Sequence, residues 1–418
     1  MKQKRVIMMS NLQEKIEKYA ELAVKIGVNI QEGQNLVINA PVTSADFVRR
    51  VADKAYEAGA KNVHVEWNDD ELTRLKYDKA PFEAFTEYPE WKAKGFEEMA
   101  ENGAAFMTIK STDPDLLKGV EGKRIAAANK AAGQAMDKFR SYIQSDKVSW
   151  LVVSTPSPSW AAKVFPDATE EEQEEKLWEA MFEAVRVNTA DPVAAWKEHD
   201  QNLQNKAKTL NGKNYKELHF KGPGTDLKIE LPDGHVWVGG GGPNQDGVHF
   251  VANMPTEEVF TAPKKDGVNG KVSNTKPLNY GGNTIDGFTL TFKNGKVVDF
   301  SAETGEETLE HLLNTDEGAR FLGEVALVPH SSPISQSGIL FYNTLYDENA
   351  SNHIALGSAY STCVKDGANM SKDELEQHGL NTSITHVDFM IGSGEMDIDG
   401  VKEDGSSEPV FRKGEWAF

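Results

Sequence analysis

A βαβ unit near the start of the chain limits the fold more than any other feature of the sequence. Leu36-Val37-Ile38-Asn39-Ala40 is a compact apolar run that stops at Pro41, as a buried strand does. Thr43-Ser44-Ala45-Asp46 supplies capping-type residues, and the periodic segment Phe47 to Ala58 then ends at Gly59. Asn62-Val63-His64-Val65-Glu66-Trp67 is a second strand. Strand, helix and strand within about thirty residues pair in parallel through a crossover that is almost always right-handed.

The same texture continues through the first half. Leu12, Ile16, Tyr19, Ala20 and Val24 recur at three- and four-residue steps and predict an amphipathic helix over Leu12 to Ile26. Strands are expected at Ala104 to Ile109 and Trp150 to Ser154, with helices at Arg124 to Ile143, Thr169 to Val185 and Pro192 to Leu210. This half is read as an α/β layer with a mostly parallel sheet.

After about Lys213 short strand-like runs alternate with Gly- and Asn-rich turns. They cover Leu227 to Leu231, His235 to Val238, Val248 to Val251, Phe288 to Phe292 and Val297 to Phe300. Asn294-Gly295 between two alternating runs is a strong hairpin signal. One clear helix is predicted over Thr308 to Arg320. A chain of 418 residues exceeds the usual size of one core. The expectation is therefore an α/β domain over 1–212 and a β-rich α+β domain over 213–418.

Charge and cysteine content exclude several roles. The 65 acidic and 45 basic residues leave a net charge of −20, which argues against nucleic acid and anionic membranes as partners. Cys363 is the only cysteine, so neither an intramolecular disulfide nor a cysteine-based zinc site can form, and a reducing compartment fits. Only Val6-Ile7-Met8-Met9 follows the basic start, too short an apolar stretch for a secretory signal. No stretch approaches the roughly 18 apolar residues of a membrane span. The chain is expected to be cytoplasmic, and its Asn-x-Ser/Thr sites at Asn349 and Asn381 then carry no weight.

Candidate chemistry gathers in the second half. Gly239 to Gly242 lacks the following helix and Lys-Ser/Thr pair of a P-loop, so it is read as a turn where backbones pack closely. Asn253 to Pro263 sets Glu257 and Glu258 side by side, and in extended chain only one of two neighbours enters a given pocket. Glu324 is a lone charge in the apolar run Phe321 to Pro329 and needs a partner, either a metal or Arg320. Glu348 precedes His353 by five positions, and Tyr360 follows. His386 and Asp388 share one side of a strand. Imidazole and carboxylate together suit zinc, cobalt or manganese, whereas an all-oxygen shell favours magnesium or calcium. The set is rich enough for two divalent cations, a recognised engine for hydrolysis.

The segments NMPTEEVFTAP from Asn253, GEVALVP from Gly323, YDENASNHIALGSAY from Tyr346 and THVDFMIGSGEMDIDG from Thr385 resemble the M29 family of metallo-aminopeptidases. The likeness extends to EKYAELAVKIGVNIQEGQ from Glu17, so it spans nearly the whole chain. The resemblance implies metal ligands at Glu258, Glu324, His353, His386 and Asp388, with Glu324 bridging two ions and Glu257 open as the alternative to Glu258. It implies a further ligand or general base at Glu348 and a tyrosine at the metal centre in Tyr360. It also implies a cytoplasmic homodimer whose active sites face an enclosed cavity. The stretch before Met9 departs from the family pattern.

The expected activity is removal of the N-terminal residue from peptides with a free N-terminus, using two divalent ions (Zn, Co, Mn or Mg). Glu348 would act as general base and Tyr360 would stabilise the oxyanion. The competing readings are another two-metal hydrolase, an amidohydrolase or phosphoesterase, and a non-enzymatic metal-dependent structural or peptide-binding protein.

Overall fold

The βαβ unit forms as its sequence predicts. In the computed structural model, which describes residues 2–111 and 113–418, strands β1 (Asn35–Pro41) and β2 (Asn62–Asn68) pair in parallel around helix Ala45–Glu57. Met1, part of the stretch before Met9, lies outside the described residues. β3 (Ala105–Lys110) and β4 (Trp150–Ser154) complete a four-stranded sheet of order β2-β1-β3-β4, parallel throughout.

The two faces of this sheet differ. Leu36, Ile38, Met107, Ile109, Leu151 and Val153 point into a core built with Tyr19 and Val24 of the first helical segment and with Phe47 and Val51. Strand alternation sends Val37, Asn39, Phe106, Thr108, Lys110, Trp150 and Val152 to the other side. Phe96 and Phe139 cover Phe106 there, with ring centroids 6.4 and 4.9 Å away. The rest of that face borders cavities.

The second half holds two large antiparallel sheets and two two-stranded ones, Leu278–Tyr280 with Asn283–Ile285 and Gly242–Pro243 with His249–Phe250. One large sheet has eight strands, in the order Lys296–Ser301, Thr289–Lys293, Val268–Ser273, Thr225–Glu230, Glu217–Gly222, Asp397–Val401, Ser407–Arg412 and Glu415–Trp416. The other is made of β5 (Val238–Gly239), β6 (Val259–Thr261), β7 (Leu322–Leu327), β8 (His353–Gly357) and β9 (His386–Met390), in the order β9-β8-β7-β6-β5. A shared core joins them: Leu218, Phe220, Leu227 and Ile229 of the larger sheet meet Val259, Val325, Leu327, Ile354 and Phe389 of the smaller. The Asn294-Gly295 hairpin forms with both residues at positive φ (49° and 80°), as a type I′ turn requires.

Three expectations change in extent. The helix predicted over Arg124 to Ile143 is two, Gly122–Ala135 and Asp137–Gln144, because a turn at Met136 redirects Phe139 onto Phe96 and Phe106. The helix predicted to Arg320 ends at Leu313, since Asp316 turns its carboxylate onto the Ala319 and Ile384 amides. Only Val238–Gly239 and His249–Phe250 of two predicted strands pair as strands, because Val236 and Val251 donate instead to the carbonyls of Cys363 and Gly27. Among the described residues no helix is long and apolar enough to cross a membrane.

The segment Ala252 to Met254 ties the first sheet to the second half. Val152 N–H donates to the Ala252 carbonyl at 2.8 Å, and Met254 N–H donates back to the Val152 carbonyl at 3.0 Å. Met254 is buried in the first core and precedes a cis proline, Pro255. Glu257 and Glu258 follow at once.

Candidate metal centre

Pairing register gathers the predicted side chains on one face of the five-stranded sheet. Glu324 lies opposite Ala355, Ala355 opposite Asp388, and Gly357 opposite His386. Ala326 lies opposite His353, and Glu258 stands one residue before β6 on the same side as Phe260. Paired residues in an antiparallel sheet project together. Ala326, Ala355 and Gly357 therefore leave room above the sheet that longer side chains would fill. The other face carries Val259, Val325, Ile354 and Leu356 into the core, so a one-residue slip would bury the charges and expose the hydrophobes.

Two triplets come within metal-binding reach, Glu258–Glu324–His353 and Glu324–His386–Asp388. Glu324 belongs to both. Its Oε1 is 3.5 Å from His353 Nε2 and its Oε2 is 3.5 Å from His386 Nε2. His353 Nε2 also lies 2.9 Å from Glu258 Oε2, and His386 Nε2 lies 3.4 Å from Asp388 Oδ1. Arg320, the alternative partner of Glu324, points to Asn314 and the Val297 carbonyl instead.

The donor chemistry suits cations. His353 Nδ1 lies 3.1 Å from the Ser351 carbonyl and His386 Nδ1 lies 2.7 Å from that of Ser358. A carbonyl only accepts, so each Nδ1 carries a proton and each Nε2 faces the carboxylates, where it offers a lone pair to a cation once its own proton is displaced. Buried Glu258 Oε2, His353 Nε2 and Asp388 Oδ1 have no hydrogen-bond partner, since their close approaches are not aligned as hydrogen bonds. Unsatisfied buried atoms of this kind are costly unless something coordinates them.

Electrostatics point the same way. Burial, reinforced by Asp388 and Glu258, pushes the Glu324 carboxyl up to about 7. Burial also raises Glu348 well above the carboxylate range, with Asp388 and Glu258 adding to it. Burial opposes charge on His386, yet Asp388 and Glu324 outweigh it and hold the imidazole up to about 10. Without a cation the cluster thus retains protons, and metal ions would displace them.

Glu257 is the neighbour that turns away. Its Oε1 sits 2.7 Å from Arg186 Nη1 and its Oε2 3.7 Å from His199 Nε2, with only 6% of the side chain exposed. Arg186 occupies a left-handed position (φ 61°) just past helix Glu170–Ala184, where Gly or Asn is usual. The Glu257 amide donates to Asn349 Oδ1 at 2.7 Å, which locks this segment to the one carrying Glu348. Arg186, His199 and Asn349 were not legible as site residues: two lie in the first half, and the third is one Asn among many.

Glu348 begins a 3-10 turn and is 9% exposed. Half-buried Tyr360 packs edge-on against His386, with centroids 5.1 Å apart. Both line a cavity of about 100 Å³ with Glu258, Glu324, His386 and Asp388. Clefts of about 510 and 480 Å³ adjoin it, and Trp150 and Tyr360 border all three. Gly240 to Gly242 form part of the small cavity's wall, and the run is the close-packed turn its sequence predicts. A Cβ at Gly239 would fall 2.9 Å from Val259 Cγ2 and 3.0 Å from the Leu203 carbonyl.

Residues 12–416 match the family described as thermophilic metalloprotease (M29). The chain belongs to the M29 family. Among M29 relatives, Aminopeptidase AmpS of Bacillus subtilis (strain 168) is 60% identical over 410 residues, 98% of this chain and 100% of that protein. Aminopeptidase 2 of Geobacillus stearothermophilus is 58% identical over 98% of this chain and 99% of its own length. The solved structure of wild-type AmpT from Thermus thermophilus superposes with a TM-score of 0.90 at 42% identity, covering 97% of this chain and 100% of that one. The M29 chain described here is accordingly a metallo-aminopeptidase, a hydrolase, and its α/β and β-rich halves match the expected fold class.

Proposed function

We propose that the protein releases N-terminal residues from peptides with a free α-amino group, using two divalent cations. Glu258, Glu324 and His353 would hold one, and Glu324, His386 and Asp388 the other. The observation that carries this reading is Glu324, whose two oxygens face two different imidazoles at 3.5 Å. Cations bound there supply Lewis acidity, which makes water a nucleophile near neutral pH and polarises a carbonyl.

The chain's own groups complete the chemistry. Glu348 is buried, and its raised proton affinity suits a base that takes a proton from water and passes it to the departing amine. The Tyr360 phenol, kept protonated by burial and the nearby carboxylates, donates a hydrogen bond to the oxyanion that develops on the former carbonyl. Relatives 60% and 58% identical are named aminopeptidases, which favours a substrate with a free α-amino group over a phosphate ester.

Mixed imidazole and carboxylate donors favour zinc, cobalt or manganese over calcium, with magnesium a weaker fit. A 1–212 unit supporting a 213–418 catalytic unit, a homodimer and a cytoplasmic setting belong to the same reading. The test compares Leu-p-nitroanilide with its N-acetylated form and measures metal content by mass spectrometry of the native protein. Cleavage of the free amine alone, with two ions per chain, is expected. Equal cleavage of the acetylated substrate would overturn the aminopeptidase reading, and one ion at full activity would overturn the two-ion reading.

A further inference from the structure

The cleft of about 510 Å³ beside the metal centre is bordered by Glu348, Tyr360 and Asp388 at one end and by Lys110 at the end of β3. Lys110 is the only cationic side chain lining it among the described residues. Lys110 is an exposed residue of the cleft wall, and no described carboxylate pairs with it. Lys163, nearby in the fold, is by contrast neutralised by Asp115 at 2.9 Å. Asp113 also borders the cleft, but its Oδ1 accepts the Asp115 amide at 2.8 Å. A lone cation on a cleft wall is a receptor for an anion.

Position sets which anion. Lys110 pairs in register with Ser154, four residues along β4 from Trp150, which borders the small cavity holding the metal-binding carboxylates. Four residues of strand span about 13 Å, and an extended peptide advances about 3.5 Å per residue. Allowing for the reach of the lysine stem, a peptide of about two to four residues with its first residue at the metal centre would bring its terminal carboxylate to Lys110. The cleft volume is also that of a small-ligand site.

We propose that Lys110 is the subsite for the C-terminal carboxylate of short peptide substrates, which makes the enzyme a processor of di- to tetrapeptides ending in a free acid. This rests on the aminopeptidase reading above. The surroundings of Lys110 hold its proton affinity below the ordinary lysine range by desolvation, a cost that an incoming carboxylate relieves.

The experiment measures kcat/KM of the metal-loaded enzyme for Leu-Gly-Gly and for its C-terminal amide. In wild type the free acid should be favoured by about 10- to 100-fold, as for a charge-assisted hydrogen bond, with the effect in KM. Lys110→Met should bring the acid-to-amide ratio close to one, and Lys110→Arg should keep most of it. Gly-Gly should inhibit wild type more strongly than Gly-Gly-amide, and this difference should vanish in Lys110→Met. A wild-type ratio near one, which needs no variant to fold, overturns the proposal while leaving the aminopeptidase reading intact. So does a ratio that persists in Lys110→Met because both substrates weaken alike. Failure of metal-loaded wild type to cleave either peptide removes the aminopeptidase reading and the proposal together.

Discussion

Arg186→Met should both loosen the fold and weaken metal binding, because Arg186 balances the carboxylate next to Glu258. Arg186 and Glu257 are 17% and 6% exposed and lie 2.7 Å apart. At an effective dielectric of about 20 the gross attraction at that distance is about 6 kcal/mol, most of it cancelled by the desolvation of both ions. Removing the cation leaves Glu257 buried, with only His199 at 3.7 Å to answer it. Breaking a buried pair in this way costs about 3–5 kcal/mol. The lower end is expected here, because methionine keeps some packing where the guanidinium lies 5.6 Å from the Trp196 ring centre.

The assay is a thermal melt of metal-free protein, in which about 3 kcal/mol should lower Tm by roughly 3 °C. The double variant Arg186→Met/Glu257→Gln removes the stranded charge and should recover at least about half of that loss. Because Asn349 fixes the Glu257 amide beside Glu258, calorimetric metal titration of the single variant should also show affinity reduced about 10- to 100-fold. If the single and double variants melt together and bind metal like wild type, the pair neither stabilises the fold nor sets Glu258, and this reasoning is refuted.

Glu348→Gln should bind metal and melt like a folded protein while losing about 10²- to 10⁴-fold in kcat; retained turnover would place the base elsewhere. Chelation should abolish peptide cleavage and lower Tm, and re-added divalent metal at 1,000 times its Kd should restore about 4 kcal/mol of stability; a chelated protein with unchanged Tm would refute the cluster as a binding site. Asp146 is raised to about 6 by burial, against the Trp150 Nε1–H bond that lowers it, so folding binds its proton and stability falls as pH rises from about 4 to about 6. Asp146→Asn keeps the acceptor and suits the left-handed φ of 49°, so metal-free variant and wild type should melt alike below pH 4, the variant gaining up to about 3 kcal/mol above pH 6; parallel pH profiles would exclude it.

What the sequence disclosed followed periodicity. Strands of alternating or continuous hydrophobicity were legible, including β1 to β4 and the Asn294-Gly295 hairpin, because their signals are local. Helices Asp70–Lys79 and Glu90–Glu101 were not, since the first buries no residue and the second only Ala93, Phe96 and Ala100. The candidate ligands stood out by residue type and family motif, but the register that gathers them did not. Nothing in the chain states that Glu324 faces Ala355, or that small residues at 326, 355 and 357 open the space between charges. The choice between Glu257 and Glu258 likewise depended on a partner, Arg186, about seventy residues upstream in the first half.

The first half shapes the site through the sheet face that helices Glu90–Glu101 and Asp137–Gln144 cover only in part. A parallel sheet is ordinarily covered on both sides by apolar layers. Here the part left open carries Asn39, Thr108 and Lys110 toward the carboxyl ends of the strands, where polar groups under an apolar helix would have lacked partners. Trp150 and Val152 continue that surface, and Val152 holds Ala252 and Met254 through two backbone hydrogen bonds, a few residues before Glu258. One strand thus borders the clefts with its side chains and anchors the segment carrying Glu258 with its backbone. Any displacement of β4 would move cleft and carboxylate together, so the sheet sets the distance between them.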